Sequence, residues 1–154
     1  MMNSIENIKR KLTLLNDVQM SHEQDDIHIQ KAQEYLDVKL PNSFKEYLKE
    51  FGNLSFTGYE FYGLTKNDDF KNSSIPNFVW ATKEHLNKKI LEEKLVLFYS
   101  HNDEWLYCLD TKSMKDEICD IVIWDKYENT EAERFHIDFL VFLEEFIDEI
   151  MEEI

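Results

Sequence analysis

The hydrophobic residues of this chain change period and then change back. As far as Phe51 they recur every three or four positions, the spacing of helices with one buried side. In KLVLFYS, EWLYCLD and DIVIWD, centred near residues 97, 107 and 123, they form short β-branched and aromatic runs bounded by polar residues, which is the pattern of strands. The helical spacing then returns for the last stretch. Helices, then strands, then a helix, with no repeat and no linker between them, give an α+β fold rather than an alternating one.

The segments can be placed individually. SIENIKRKLTLL, residues 4 to 15, carries Ile5, Ile8, Leu12 and Leu15 on one stripe, with Ser4 as N-cap. QMSHEQ is a polar connection, and DDIHIQKAQEYL is a second helix with Ile29, Ala32 and Leu36 inward behind Asp25 and Asp26. Leu40-Pro41 ends that helix and starts the next, because proline suits a helix's first position and disfavours helical geometry in the residue before it. Phe44, Tyr47, Leu48 and Phe51 share the inner face of the third helix, which Gly52 stops in a left-handed conformation. FTGYEFYGL, residues 56 to 64, reads as a short hairpin or strand, and residues 66 to 77 as a loop that connects rather than packs. Residues 78 to 90 read as a helix. The three apolar runs follow as a three-stranded antiparallel meander. Residues 133 to 154 form the last helix, with Phe135, Phe139, Phe142, Leu143, Phe146, Ile147 and Ile150 on its stripe and acids opposite. Only 3 Gly and 2 Pro leave few places where the chain must turn sharply.

The length of 154 residues and an apolar content of 43% are those of one domain, spanning 1–154 and able to fold alone. The absence of an 18-residue apolar window, and a charged rather than apolar N-terminus, predict neither a membrane span nor secretion, hence a cytoplasmic protein. Cys108 and Cys119 sit in apolar runs and read as small buried hydrophobes rather than a disulfide.

The net charge of −15 is unevenly distributed: residues 1 to 102 hold 13 Lys/Arg against 15 Asp/Glu, and residues 103 to 154 hold 4 against 17. A field of this sign repels phosphate backbones, which argues against direct nucleic-acid binding, and it accelerates association with a basic partner. It also serves solubility, and charge alone does not name a partner.

No motif for chemistry is present: neither G-x-S-x-G, nor a phosphate loop, nor HExxH. His22, His28, His85, His101 and His136 are scattered, with no pair at the i, i+4 spacing. His101 with Asp103 and Glu104 is the nearest approach to a ligand set, and it reads more simply as a solvated turn between two strands. No catalytic residue, no metal and no cofactor is expected. Binding has better candidates. Trp80, Trp105 and Trp124, with Tyr59, Tyr62, Tyr99, Tyr107 and Tyr127, exceed what a small core needs, and aromatics beside acids are the composition of an interface hot spot. Tyr127 and Trp80 are expected to be more exposed than Trp124.

Glu34, Leu36, Leu40 and Pro41 form E-x-L-x-x-x-L-P, followed by F-K-x-Y-L and Gly52. With EFYGL at 60 to 64, VLFYSHNDEWLYCLDT at 96 to 111, IVIWD ending at Asp125 and the segment opening at Phe135, this order of blocks resembles the SUKH superfamily of Smi/Knr-type proteins over nearly the whole chain. The chain departs from the family pattern at Asp37, where Gly is frequent, near Gly52, where Asn53 replaces a second Gly, and before WLYCLD, where no Gly occurs. The resemblance implies a curved, mainly antiparallel sheet flanked by N-terminal helices and a C-terminal helix. It also implies a bacterial immunity protein that neutralises a cognate polymorphic or contact-dependent toxin, often a nuclease; eukaryotic members regulate cell-wall synthesis. An acidic face would cover a basic nuclease cleft by charge complementarity. The contact candidates are Asp68, Asp69, Trp80, Asp103, Glu104, Asp125, Tyr127 and Glu128, on a concave surface of sheet and loops. The alternative is a regulatory or scaffold module of the same fold in an intracellular complex.

Overall fold

The computed structural model describes residues 4–21, 24–66 and 69–153. The stripe of Ile5, Ile8 and Leu12 is buried along helix α1 (Ser4–Leu12), which is shorter than its periodicity predicts. Residues 13 to 15 continue as a tighter turn whose amides bond three residues back, and Leu15 still reaches the core. Helix α2 (Asp26–Leu36) starts on an Asp25 side chain that accepts from the His28 amide at 2.8 Å. It stops at Asp37, which takes the left-handed conformation (φ 55, ψ 49) that Gly would otherwise supply. Pro41 is the N-cap of α3 (Asn42–Phe51) and has no side chain to cap with; the Asn42 amide instead donates to the Glu117 carbonyl at 3.2 Å. Gly52 ends α3 with φ 71 and ψ −70, and the Asn53 amide donates to the Phe51 carbonyl, so the stop is a γ-turn rather than the expected left-handed residue.

Strands β1 (Gln19–Met20), β2 (Leu54–Phe56) and β3 (Tyr59–Phe61) form an antiparallel sheet in that order, so part of the polar QMSHEQ stretch is a strand; His22 and Glu23 lie outside the described residues. The expected loop of 66 to 77 does pack. A single 3₁₀ turn (Phe70–Asn72) buries Phe70, and fully buried Asn77 caps α4 (Phe78–Asn87) by accepting from the Val79 and Trp80 amides.

Strands β4 (Leu95–His101), β5 (Trp105–Lys115), β6 (Ile118–Asp125) and β7 (Thr130–Phe135) make a second antiparallel sheet in sequence order. The meander therefore has four strands, not three. The last helix, α5 (Phe139–Glu152), begins six residues later than expected, capped by the Asp138 carboxylate on the Leu140 amide. Residues 133 to 135, expected as its first turn, belong to β7. The two sheets meet where the Tyr62 amide donates to the Phe98 carbonyl at 2.7 Å.

The core lies between the helices and the sheets. Phe139 is its junction, with ring centroids 4.9 Å from Phe44, 5.1 Å from Tyr47 and 5.1 Å from Phe98, all in edge-on arrangements. On the opposite side of the larger sheet, the Thr82 hydroxyl of α4 accepts from the Leu97 amide, and the Trp124 indole donates to the Ile90 carbonyl. Both cysteines are buried free thiols. Sharp turns are more numerous than the glycine content suggests. Among the described residues, ten non-glycine residues have positive φ, six of them Asn or Asp, the residues that best tolerate it.

Candidate partner-binding surface

Five of the eight contact candidates converge at one end of the larger sheet. Asn102 and Asp103 (φ 55 and 52) turn β4 into β5, and residues 125 to 129 turn β6 into β7 beside them. The Lys126 amide donates to the Glu104 carbonyl at 3.0 Å, which brings Asp103, Glu104, Asp125, Tyr127 and Glu128 to one edge. Tyr127 is 71% exposed and Trp124 4%, as their contexts predict, while Trp80 is half-buried against the core. Asp69 and Trp80 are carried by other elements, the 3₁₀ turn and α4; Asp69 accepts from the Asn72 amide. Asp68 lies outside the described residues.

Much of the charge at the turn pair is already engaged. Lys126 Nζ lies 2.9 Å from Asp103 Oδ1, and Asp125 Oδ1 accepts from the Tyr127 and Glu128 amides at 3.0 Å each. His101, weighed above as a ligand with Asp103 and Glu104, has its Nδ1 2.8 Å from the Tyr99 hydroxyl. Among the described residues, no three His, Cys, Asp or Glu side chains are grouped to hold a metal ion.

Strand register continues this edge into a face. Directly paired residues point to the same side of a sheet. His101 pairs with Trp105 and Trp105 with Asp125; two residues further along, Tyr99 pairs with Tyr107, Tyr107 with Ile123 and Ile123 with Glu133. One row thus runs Tyr99, Tyr107, Ile123, Glu133 across all four strands. Helix α5 lies along it, with Phe142 6.0 Å from Tyr107 and Phe146 5.4 Å from both Tyr99 and Tyr59. Where β3 meets β4, a cavity of about 350 Å³ is lined by Tyr59, Glu60, Tyr62, Tyr99 and the turn at His101 and Asn102. The acids are felt by the phenols. Burial first, then Glu60 and Asp103, push the Tyr62 hydroxyl up to about 12, and burial with Glu133 and Glu149 raises Tyr107.

Sequence reasoning noticed these tyrosines as a group but chose none as a contact, and it assigned Glu133 to a helix. The available signal was the alternation of Trp105, Tyr107 and Leu109 along one strand; what it could not supply was the partner register.

These features define a class: an α+β protein of two antiparallel sheets wrapped by helices, with partly exposed tyrosines and exposed acids bordering the helix that covers the larger sheet. Residues 1–149 match the SUKH_5 family, described as SMI1-KNR4 cell-wall. The chain belongs to this family. No helix among the described residues is long and apolar enough to cross a membrane.

Proposed function

We propose that this protein is a non-catalytic immunity protein, which binds a cognate polymorphic or contact-dependent toxin, a basic nuclease domain, and neutralises it in the cytoplasm as one domain over 1–154. Family membership is consistent with an immunity-type protein. The observation that carries the reading is where the charge lies: the 4 basic and 17 acidic residues after Asn102 fall on three adjacent strands, their turns and the helix across them. Acid concentrated on one contiguous part of a fold, beside exposed and half-buried aromatics, suits a basic cleft better than acid spread for solubility. The turn-pair acids, with Tyr127, form the rim; Asp69 and Trp80, on other elements, and Asp68 are further contact candidates.

One observation favours the regulatory or scaffold reading, namely that the family description names the cell wall. A tagged pull-down from the source cells, eluted across a salt series, separates the two, together with co-expression beside any toxin-like domain encoded next to the gene. Recovery of one small basic protein that releases with salt and kills when expressed alone is the expected result. Recovery of a resident multiprotein complex, or survival no better when the neighbouring toxin is co-expressed, sinks the immunity reading.

A further inference from the structure

The tyrosine row and the turn pair differ in how much of their acid is free. At the turns, Lys126 occupies Asp103 and the backbone occupies Asp125. On the face, among the described residues, no Lys, Arg or His forms an ion pair with Glu60, Glu133 or Glu149. These three glutamates surround a run of aromatic rings. Glu60 lines the cavity beside Tyr59, Glu133 ends the row that contains Tyr107, and Glu149 is about one helical turn beyond Phe146, whose ring meets Tyr59 and Tyr99. Tyr59 and Tyr107 are both half-buried, whereas Tyr99 between them is buried.

Deepening the partner-binding reading and resting on it, we propose that the partly exposed Tyr59 and Tyr107, which flank buried Tyr99 and are rimmed by Glu60, Glu133 and Glu149, receive an arginine- or lysine-bearing segment of the protein partner. A guanidinium is the cation that this arrangement fits. It is planar, weakly hydrated, stacks on a phenol ring and can be bridged by a carboxylate at the ring's edge. The rings exclude water from the ion pairs, and this is the condition under which such pairs gain over fully exposed ones. The occupant is basic because all three rim groups are acidic and uncompensated. It is a segment rather than a single side chain because the two rings stand on different strands, β3 and β5, and the 350 Å³ cavity beside Tyr59 does not include Tyr107.

The test uses a defined probe, the blocked peptide acetyl-Gly-Arg-Gly-Arg-Gly-amide, titrated into the isotopically labelled full chain and followed by amide chemical shifts. The expected result is saturable shifts at residues 59 to 62, 99 to 101, 105 to 107 and 133. The E60Q/E133Q/E149Q variant should bind about tenfold more weakly at low salt, with spectra otherwise superimposable. A Glu-for-Arg peptide should cause no shifts. Shifts confined to residues 102 to 104 and 125 to 128, shifts spread over the outer surface of α5, or unchanged affinity in the triple variant would each overturn the assignment. The two proposals fail separately: peptide binding here without protection from any toxin removes the immunity reading alone, and protection by the triple variant with peptide binding elsewhere removes this one alone.

Discussion

Gly63 rests directly on the carbonyl of Gly52. A β-carbon at Gly63 would lie 1.8 Å from that oxygen, and the Leu64 amide donates to the same oxygen at 2.8 Å. The contact fastens the γ-turn that ends α3 to the strand entering the sheet junction, with Tyr62 bonded to Phe98 on one side and Phe78 to the Gly63 carbonyl on the other. Gly63→Ala should therefore destabilise by about 4 kcal/mol or more, since the obstacle is backbone and cannot swing away. Gly58, whose added β-carbon would meet nothing within 4 Å but whose φ is +86, is the control. Gly58→Ala should cost about 1 kcal/mol. Urea unfolding of both variants checks the contrast, and equal costs would refute it.

Arg134 ties edge strand β7 to β6 and β5 through carboxylates. It lies 2.9 Å from Asp110, 2.8 Å from Asp120 and 2.7 Å from Glu131, and His136 adds a contact to Asp120 at 2.9 Å. Burial opposes the ionisation of Asp120, but hydrogen bonds from Arg134 and His136 outweigh it and hold the carboxyl below its ordinary range; the bond from Arg134 does the same for Glu131. Because both values are lowered in the folded state, their stabilisation is present above the unfolded carboxylate range and is lost as pH falls through the folded values, below about pH 4. Arg134→Gln leaves Asp110 and Asp120 facing each other without a cation. It should cost about 3 kcal/mol at neutral pH, and the gap to wild type should narrow below about pH 4. A gap independent of pH, measured by thermal melts from pH 3 to 8, would show that the network is not what the arginine contributes.

Both thiols are inert in the folded state. Burial raises Cys108 strongly and pushes Cys119 up to about 12, with Asp110 adding to each. Iodoacetamide at pH 8 should modify neither in the native protein within an hour, and both in guanidinium, as read by intact mass. Fast labelling of either thiol in the native state would show that β5 or β6 opens.

The helices were legible because each buries a continuous stripe, and their ends came within a few residues because Asp25, Pro41 and Gly52 act locally. β7 was not legible. Residues 130 to 134 of this edge strand are all exposed, so no alternation of burial is written into them, and Phe135 sits four residues before Phe139, mimicking a helical pair. The overlooked signal was Asp138, an N-cap residue immediately before the true stripe. The turns were hidden for a related reason: Asp37, Asn102, Asp103 and Asn129 adopt the conformations that glycine usually marks. The end of the sheet could be guessed from polar loops, whereas the tyrosine face could not. Glu133 faces Tyr107's side only through pairing with Ile123, and the irregularity between Ile123 and Trp124 shifts the register just beyond it.

The turn pair and the face make separable contributions to partner binding. Changing Asp103, Glu104, Asp125 and Glu128 jointly to Asn or Gln should leave the fold intact, because an amide oxygen at position 125 can still accept from the amides of 127 and 128 and the Lys126 to Glu104 backbone bond is untouched. Rim charges act mainly on encounter, so the quadruple variant should associate about tenfold more slowly with the basic protein recovered by pull-down at low salt. The difference should fade as salt rises, and protection in co-expressing cells should weaken. The E60Q/E133Q/E149Q variant changes exposed glutamates, so its effect should also fade as salt rises, but it should additionally speed dissociation because its pairs lie beside aromatic rings. Surface-captured protein at two ionic strengths separates the two rates. Undiminished protection and unaltered association in the quadruple variant would remove the turn pair from the interface and leave the tyrosine face as the site that carries binding.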